Sequence, residues 1–125
     1  MGIFKGSGVA LITPFNEDMS INYTKLEELI EWHIENKTDA LIIAGTTGEA
    51  STLTEEEHIE LVRRSVDIVG GRIPVIAGSG SNDTRHGIKL SVECERAGAD
   101  GLLRVTPYYN KTNRQGLINH YTAIA

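Results

Sequence analysis

The chain has 125 residues, of which 40% are hydrophobic and 23% are charged, and its formal net charge at pH 7 is −5. This size and composition predict one soluble globular domain, and the acidic balance with scattered basic residues excludes a nucleic-acid-binding surface. The first 15 residues lack the basic start and long apolar stretch of a secretory signal, so we expect no membrane association. Cys94 is the single cysteine and the four histidines lie far apart, which predicts no internal disulfide, no metal site and a cytoplasmic location.

The first half of the chain predicts two strands, each followed by a helix. The apolar segments GVALIT at 8–13 and DALIIA at 39–44 are typical of buried parallel strands. Asn22 is the expected N-cap of the first helix. The apolar stripe of that helix consists of Leu26, Leu29, Ile30, His33 and Ile34. Thr54 and Glu57 have the spacing of a capping box, which contributes about 1 kcal/mol and marks the start of the second helix. Its apolar positions are Ile59, Val62 and Val66.

The second half repeats this alternation. The segments IPVIAG at 73–78 and DGLLRVT at 100–106 predict two further strands. The third helix is expected to begin near Asn82 or Asp83, to run through Ile88 and Val92 and to end at Gly98. The fourth helix begins after Thr112 and is expected to bury Leu117, Ile118, Tyr121 and Ile124.

Arg104 places a charge within the otherwise apolar fourth strand. An unpaired guanidinium inside a sheet costs several kcal/mol. We therefore expect its side chain to reach solvent through an opening or to pair with a carboxylate.

Four alternations at spacings of about 30 residues predict βαβ units, right-handed crossovers and a parallel sheet in a single domain, 1–125. A closed TIM (β/α)8 barrel requires roughly 250 residues, so four units have the size of half a barrel. A flavodoxin-like sheet, which normally has about five strands, fits the alternation as well. The pattern alone does not separate these two α/β architectures.

In both architectures, ligands bind at the carboxyl ends of the strands. GTTGE at 45–49 follows the second strand, where Thr46, Thr47 and nearby amides can bind a small carboxylate, or can simply satisfy the backbone groups of a turn. Glu49 is interpreted as a structural carboxylate at the start of a helix. GSGSN at 78–82 is a weak phosphate cradle, since the third glycine of a dinucleotide fingerprint is absent. Of Tyr108 and Tyr109, one can reach a site while the other packs.

The segments VALITPF, GTTGEASTLTEEEH, GRIPVIAGSGSN and ADGLLRVTPYYNK together closely resemble the N-terminal half of the dihydrodipicolinate synthase family, over essentially the whole chain. The N-acetylneuraminate lyases look similar in fold but usually differ in the first threonine motif and around the tyrosines. The resemblance implies a class I aldolase-like lyase on a TIM barrel. Such an enzyme condenses pyruvate with aspartate semialdehyde through a lysine Schiff base, in lysine and diaminopimelate biosynthesis, without a metal or organic cofactor.

The resemblance also assigns roles to individual residues. It implies that Thr47 binds the pyruvate carboxylate and that Thr46 and Tyr109 belong to a hydroxyl relay. Tyr109 would act from the neighbouring subunit with Tyr108 in the same interface, which implies a homodimer or homotetramer. Four βα units also leave two sheet edges and an apolar inner face uncovered, which favours self-association.

The family's Schiff-base lysine, its third relay tyrosine and the arginine that orients the second substrate have no counterpart in this sequence. The five lysines are expected at surface positions, where nothing lowers their pKa as Schiff-base chemistry requires. They are Lys5, Lys25, Lys37, Lys89 and Lys111. We predict that the chain alone does not catalyse the family reaction. The alternative is a non-catalytic, self-assembling half-barrel module.

Lysine-sensitive members of the family have an allosteric pocket at the dimer interface. The residues that correspond to it are Ser51, Glu55, His58, Asn82, His86 and Tyr108. His86 occupies a position where sensitive enzymes commonly carry a carboxylate, and Glu55 one where some carry histidine. Both departures speak against feedback inhibition by lysine, and we expect His58 and His86 to be solvated helix residues.

Overall fold

Residues 2–125, which the computed structural model describes, form one four-stranded sheet and four α-helices. The strands are β1 (Gly8–Ala10), β2 (Ala40–Ile43), β3 (Val75–Gly78) and β4 (Gly101–Leu103). The helices are α1 (Tyr23–Glu35), α2 (Glu55–Val69), α3 (Thr84–Arg96) and α4 (Arg114–Ile124). A short 3₁₀ turn at Ala50–Thr52 precedes α2.

The order of strands in the sheet is β1-β2-β3-β4, and every neighbouring pair is parallel. The register aligns Ala10, Ile42, Ile76 and Gly101 across the four strands. Each of the three crossovers moves to the next strand in the same direction, so right-handed connections place α1, α2 and α3 on one face of the sheet. α4 packs beside α3. A flavodoxin-like sheet reverses direction at a switch point, and this sheet does not. The prediction of half a TIM barrel is therefore confirmed.

The strands lie where they were predicted but are shorter. β1 ends at Ala10 rather than at residue 13, and β4 ends at Leu103 rather than at residue 106. Both are edge strands with a single neighbour among the described residues, so fewer of their residues can take part in a ladder. Pairing of β1 nonetheless continues for one residue, because the Leu11 amide donates to the Ile42 carbonyl at 3.0 Å.

The helix starts follow the capping residues of the sequence. The Asn22 side chain accepts from the Lys25 amide at 2.8 Å, and Thr54 and Glu57 complete the capping box in both directions. Asp83 caps α3 and Asn113 caps α4 in the same way. α3 ends at Arg96, two residues before Gly98, whose φ of 96° reverses the chain.

The hydrophobic core lies between the sheet and the helices. Its fully buried side chains include Leu41 and Val75 from the sheet, Ile30 from α1 and Leu61 from α2. On α3 the buried positions are Gly87, Leu90, Ser91 and Cys94. Ile88 and Val92 belong to α3 as expected, but they lie outside this buried stripe and are 37% and 38% exposed.

The opposite, inner face of the sheet is apolar and open. It consists of Ala10, Ile12, Ile42, Ile76, Leu103 and Val105, which alternate with the core-facing residues of the same strands. Ile12 is 54% exposed and Leu103 is 47% exposed. The half-barrel therefore presents as solvent-accessible surface the residues that fill the interior of a closed barrel.

The helix α4 is only partly covered. His120 and Ile124 are buried against α3, whereas Ile118 and Tyr121 are 47% and 36% exposed and Leu117 is half-buried. The prediction that the whole apolar stripe is buried was therefore wrong for Ile118 and Tyr121. The reason is that α3 covers one side of α4 and no described element covers the other.

Arg104 lies just beyond β4 and is half-buried. Its Nη1 atom is buried without a hydrogen-bond partner among the described residues, and desolvation lowers the pKa of the guanidinium. This nitrogen therefore has neither access to solvent nor a carboxylate partner, which were the two expected arrangements. In an extended chain, residues two positions apart point to the same face, so Arg104 points with Leu102 away from the inner face.

Candidate active site and the adjoining pocket

The GTTGE loop is held against the carboxyl ends of β1 and β2. The Thr13 hydroxyl donates to the Gly48 carbonyl at 2.6 Å, and a Cβ at Gly48 would lie 3.1 Å from the Leu11 carbonyl oxygen. A side chain at this position would require the backbone of Leu11 and Ala44 to shift by a few tenths of an ångström. The second glycine of the motif thus fixes the position of the loop.

The loop turns back on itself through its carbonyl groups. The Glu49 amide donates to the Thr46 carbonyl at 3.0 Å, and the Ala50 amide donates to the Gly45 carbonyl at 3.3 Å. The amides of Thr46, Thr47 and Gly48, by contrast, have no acceptor among residues 2–125. Successive free amides form a nest that attracts an anion. Thr46 and Thr47 are both exposed, so their side chains are accessible to a ligand from solvent.

Glu49 stands at the N-terminus of the 3₁₀ turn with a φ of 56°, and its carbonyl accepts from the Thr52 hydroxyl at 2.9 Å. Its carboxylate makes no capping hydrogen bond. Glu49 therefore stabilises the turn through its backbone carbonyl. The sequence had suggested this role for its side chain.

A cleft of about 560 Å³ adjoins the loop, between the N-terminal halves of α2 and α3 and the ends of β3 and β4. Its lining includes Thr46, Ser51, Glu55, His58, His86 and Tyr108. The structure thus brings together five of the six predicted pocket residues. Asn82 is not part of the lining, and neither are Thr47 and Tyr109.

The charged wall of this pocket is a network between α2 and α3. The Glu55 carboxylate lies 2.5 Å from Lys89 Nζ and 3.3 Å from His86 Nε2. The other ring nitrogen of His86 lies 3.1 Å from the Ser81 hydroxyl. The hydrogen bond from Lys89 lowers the pKa of Glu55, and the same bond raises the pKa of Lys89. The one carboxylate in the pocket lining is therefore already neutralised within the chain.

His58 is buried, with 5% of its surface exposed, and its Nε2 lies 2.7 Å from the Gly78 carbonyl oxygen. The expectation of a solvated histidine was wrong, because this residue lies on the side of α2 that faces the end of β3. A carbonyl can only accept, so Nε2 carries the proton. Burial lowers the pKa of His58, which keeps the ring neutral near pH 7.

The two tyrosines separate as expected from their adjacent positions. Tyr108 is 55% exposed and lines the pocket, whereas Tyr109 is 96% exposed with a φ of 64°. A positive φ is uncommon for an aromatic residue. Tyr109 thus lies almost entirely in solvent, whereas Tyr108 lines the pocket of its own chain.

The dihydrodipicolinate synthetase family matches residues 3–125. Among curated proteins, the chain is 62% identical to the 4-hydroxy-tetrahydrodipicolinate synthase of Clostridium tetani, over 99% of this chain and 42% of that protein. The chain belongs to the dihydrodipicolinate synthetase family. The N-terminal resemblance inferred from GTTGE and TPYYN is confirmed, and the chain spans about 42% of the length of this relative.

Two solved structures of the family agree with the fold. The chloride-inhibited dihydrodipicolinate synthase of Acinetobacter baumannii, complexed with pyruvate, has a TM-score of 0.94 and 48% identity over 95% of this chain and 41% of that one. The enzyme of Cyanidioschyzon merolae with lysine bound has a TM-score of 0.94 and 42% identity over 99% and 42% of the two chains. The curvature of a closed barrel is thus already present in this four-stranded part.

In this member of the dihydrodipicolinate synthetase family, the hydroxyls of the Gly78–Asn82 loop serve the fold. The Ser79 hydroxyl is 3.3 Å from that of Ser91, and the Asp83 amide donates to the Ser81 hydroxyl at 3.1 Å. A Cβ at Gly80 would lie 2.5 Å from the Val105 amide nitrogen. These glycines and serines are explained by packing against β4 and α3, which weakens the phosphate-cradle interpretation.

All five lysines of this family member are exposed, as expected. Lys25 and Lys89 lie in ion pairs with Glu28 and Glu55. The raised pKa of Lys89 is opposite to the shift that a Schiff-base lysine needs. In residues 2–125, no group of three or more acidic, histidine or cysteine side chains could hold a metal ion. No helix in the same part of the chain is long and apolar enough to cross a membrane.

Sequence reasoning missed Lys89 and Ser81 as parts of the pocket network. Lys89 reaches Glu55 from another helix, 34 positions along the chain, so no local spacing indicates the pair. The His58 contact with Gly78 is equally non-local. The capping box is the one local signal that bears on this pocket. It fixes the first turn of α2 and thus the direction in which Glu55 and His58 point.

Proposed function

We propose that the chain forms the pyruvate-binding part of a 4-hydroxy-tetrahydrodipicolinate synthase. Such a lyase of class I aldolase type condenses pyruvate with aspartate semialdehyde through a lysine Schiff base, in lysine and diaminopimelate biosynthesis. The observation that carries the proposal is the nest of free amides at Thr46, Thr47 and Gly48 beside two accessible hydroxyls. This combination suits a carboxylate, and the Acinetobacter baumannii relative binds pyruvate.

Within this proposal Thr47 binds the pyruvate carboxylate, while Thr46 and Tyr109 relay protons. Tyr109 acts on the site of a neighbouring subunit, which agrees with its 96% exposure. The chain therefore works as a homodimer or homotetramer. Residues 1–125 form one (βα)4 domain, and the protein acts in the cytoplasm without a cofactor or nucleic acid.

We propose further that the chain alone does not turn over substrate. A Schiff-base lysine has to be neutral to attack a carbonyl, and desolvation at a strand end is the usual way to lower its pKa. The five exposed lysines lack such an environment. The chain can then bind pyruvate without forming a covalent adduct with it.

The pocket beside the loop is proposed as an effector site formed by Ser51, Glu55, His58, His86 and Tyr108, with Asn82 at its margin. The Cyanidioschyzon merolae relative binds lysine. In this chain, however, Lys89 already supplies an ammonium group to Glu55. A free lysine would have to displace Lys89, so feedback inhibition by lysine is not expected.

The test is a pyruvate titration followed by amide chemical shifts. We expect the amides of Thr46, Thr47 and Gly48 to shift at millimolar pyruvate, and Thr47→Ala to weaken the response. Thr24→Ala is the matched control, since Thr24 is an exposed threonine on α1. Borohydride treatment with pyruvate should give no adduct, and a reproducible pyruvyl-lysine would refute the proposed inactivity.

The second candidate is a non-catalytic assembly module in which the threonines are idle. The observation in its favour is the exposed apolar inner face. If millimolar pyruvate leaves the loop amides unshifted while the chain still self-associates, this candidate replaces the first. An N-acetylneuraminate lyase-like fragment is disfavoured by the synthase names of the relatives.

A further inference from the structure

We propose that His58 is a positioning residue for the GTTGE loop, on which it acts through the Gly78 carbonyl and the backbone of Ala44. The inference rests on the carboxylate binding proposed above and adds which buried group sets the geometry of the binding loop. His58 does not touch the carboxylate in this arrangement. It holds the end of β3, against which the loop turns.

The loop leaves the sheet where the hydrogen bonds between β2 and β3 stop. The Leu41 amide donates to the Pro74 carbonyl at 3.0 Å, and in a parallel ladder such bonds recur at every second residue. This repeat would bring the Gly45 amide to the Gly78 carbonyl. That bond is not formed, because the chain turns at Ala44, whose φ is 54°. The Gly78 carbonyl therefore needs a donor from elsewhere.

His58 supplies this donor from α2. Its Nε2 lies 2.7 Å from the Gly78 carbonyl oxygen and carries the proton, since a carbonyl can only accept. Both residues are buried, and a buried carbonyl that loses its donor is destabilised by the full cost of its desolvation. The imidazole thus takes the place in the ladder that the Gly45 amide leaves.

Gly78 passes its position on to the loop by direct backbone contact. A Cβ at Gly78 would overlap the Ala44 carbonyl group and would lie 3.0 Å from the Gly45 nitrogen. Gly48, near the other end of the loop, also approaches Ala44, and a Cβ there would lie 3.2 Å from the Ala44 nitrogen. Because no side chain separates these backbone segments, a displacement of Gly78 displaces the beginning of the loop.

Ala44 is the residue on which these contacts converge. It is 2% exposed, and its φ of 54° is a conformation that residues with a Cβ rarely adopt. Such a conformation persists only where the surrounding structure holds it. Gly78 and Gly48 are part of those surroundings. The direction of the chain after Ala44 in turn decides where the amides of Thr46–Gly48 point.

The consequence for binding follows from the geometry of the amides. A nest attracts an anion only while its successive amides converge on one point. Without the donor from His58, Gly78 is free to move and Ala44 can relax toward a negative φ, which turns the amides of Thr46–Gly48 apart. Loss of the donor should therefore weaken carboxylate binding even in a chain that remains folded.

The test compares substitutions of His58 that differ in where they place a donor. The amide nitrogen of His58→Gln lies near the position of Nε2, whereas that of His58→Asn lies near Nδ1, which does not contact Gly78. His58→Leu is a second variant without the donor, so either of the two decides the comparison if the other does not fold. Ser65→Ala is the matched control, because Ser65 is fully buried on the same helix and its hydroxyl donates within α2 to the Leu61 carbonyl.

Amide spectra of each variant are recorded without ligand and during a pyruvate titration, and urea denaturation gives its stability. We expect His58→Asn and His58→Leu to shift the ligand-free amides of Thr46–Gly48. Both should raise the dissociation constant of pyruvate by about three- to tenfold, the range that corresponds to one hydrogen bond. His58→Gln should recover most of the affinity, and Ser65→Ala should show neither effect.

A histidine that only stabilises the fold gives a different result. His58→Asn and His58→Leu would then lower the urea midpoint but leave the loop amides and the dissociation constant at their wild-type values, which would overturn the proposal. The proposed function fails separately, if pyruvate leaves the wild-type amides unshifted. In that case the ligand-free spectra decide: loop amides displaced in His58→Asn and restored in His58→Gln support positioning by His58, and unchanged ones refute it.

Discussion

His58 gives the sharpest test of how the structure holds the end of β3. Its buried Nε2–H donates to the Gly78 carbonyl at 2.7 Å. Gly78 in turn approaches Ala44 so closely that a Cβ would lie 2.1 Å from the Ala44 carbonyl oxygen. The histidine therefore helps to fix the strand end that packs against the base of the GTTGE loop.

We expect His58→Leu to destabilise the chain by about 1–3 kcal/mol, because it leaves the Gly78 carbonyl without this donor in a buried environment. Leucine keeps most of the apolar packing, so the loss reports the hydrogen bond rather than a cavity. His58→Gln offers an amide donor of similar reach and should recover part of the loss. His86→Gln is the matched control, because the His86 side chain is 44% exposed and its loss should change stability little.

The same residue predicts a dependence of stability on pH. The pKa of His58 in the folded chain lies below its ordinary value of 6.5, so the unfolded chain binds the proton first as the pH falls. The stabilisation is fully present above about pH 6.5 and is lost as the pH falls through the lower folded-state pKa. His58→Leu should remove this contribution to the acid-side loss.

The assay is urea denaturation followed by circular dichroism between pH 5 and 8, at one protein concentration so that self-association is held constant. Wild type, His58→Leu, His58→Gln and His86→Gln are compared at each pH. The reasoning fails if His58→Leu has the wild-type midpoint at pH 7.5. It also fails if this variant loses as much stability as wild type between pH 7 and pH 5.

Two further substitutions and one labelling experiment test separate parts of the fold. Thr54→Ala removes one arm of the capping box and should cost about 1 kcal/mol in urea denaturation, whereas an unchanged midpoint would mean that the box is not formed. Cys94, with its pKa raised to about 11 by burial, should react with a thiol reagent at pH 8 only after addition of denaturant. Arg104→Val removes a guanidinium whose Nη1 is buried without a partner, so it should raise stability by about 1 kcal/mol or more. A destabilised Arg104→Val would show that the guanidinium has a partner in solution.

Local signals in the sequence predicted the order and the beginnings of the elements. Asn22, Thr54 with Glu57, and Asp83 each bond within three residues of their own position, so their effect can be read from spacing alone. The order of four βα units and their half-barrel size also follow from local alternation. The choice between half a barrel and a flavodoxin-like sheet required the strand order, which no local pattern contains.

Burial on the helices was harder to predict, because it depends on which neighbours are present. The apolar residues Ile88 and Val92 of α3 are exposed, whereas the small residues Gly87, Ser91 and Cys94 are buried. Small residues allow α3 to approach closely, and hydrophobicity alone does not reveal them. His58 was mistaken for a surface histidine because its partner, the Gly78 carbonyl, lies 20 positions away.

In the candidate site, too, some features could be predicted from the local sequence and others depend on the fold. The threonines of GTTGE could be named from the sequence because a Gly-flanked pair of hydroxyls after a strand has a direct chemical use. The free amides that make the loop suitable for a carboxylate depend on where Glu49 and Ala50 donate, which only the folded backbone determines. Likewise, Glu55 could be identified as a departure from the family, but not as a residue already paired with Lys89.

The exposed apolar residues and the incomplete site have one common physical origin. Each is a surface that a closed barrel covers: the inner face by opposite strands, the free side of α4 by another helix, and the mouth around Thr46 by further loops. Among residues 2–125, the two middle strands have a neighbour on each side, whereas β1 and β4 each pair with one strand. The sheet therefore folds around one core between strands and helices, while the pyruvate chemistry proposed for it depends on surfaces that only a second set of strands can cover.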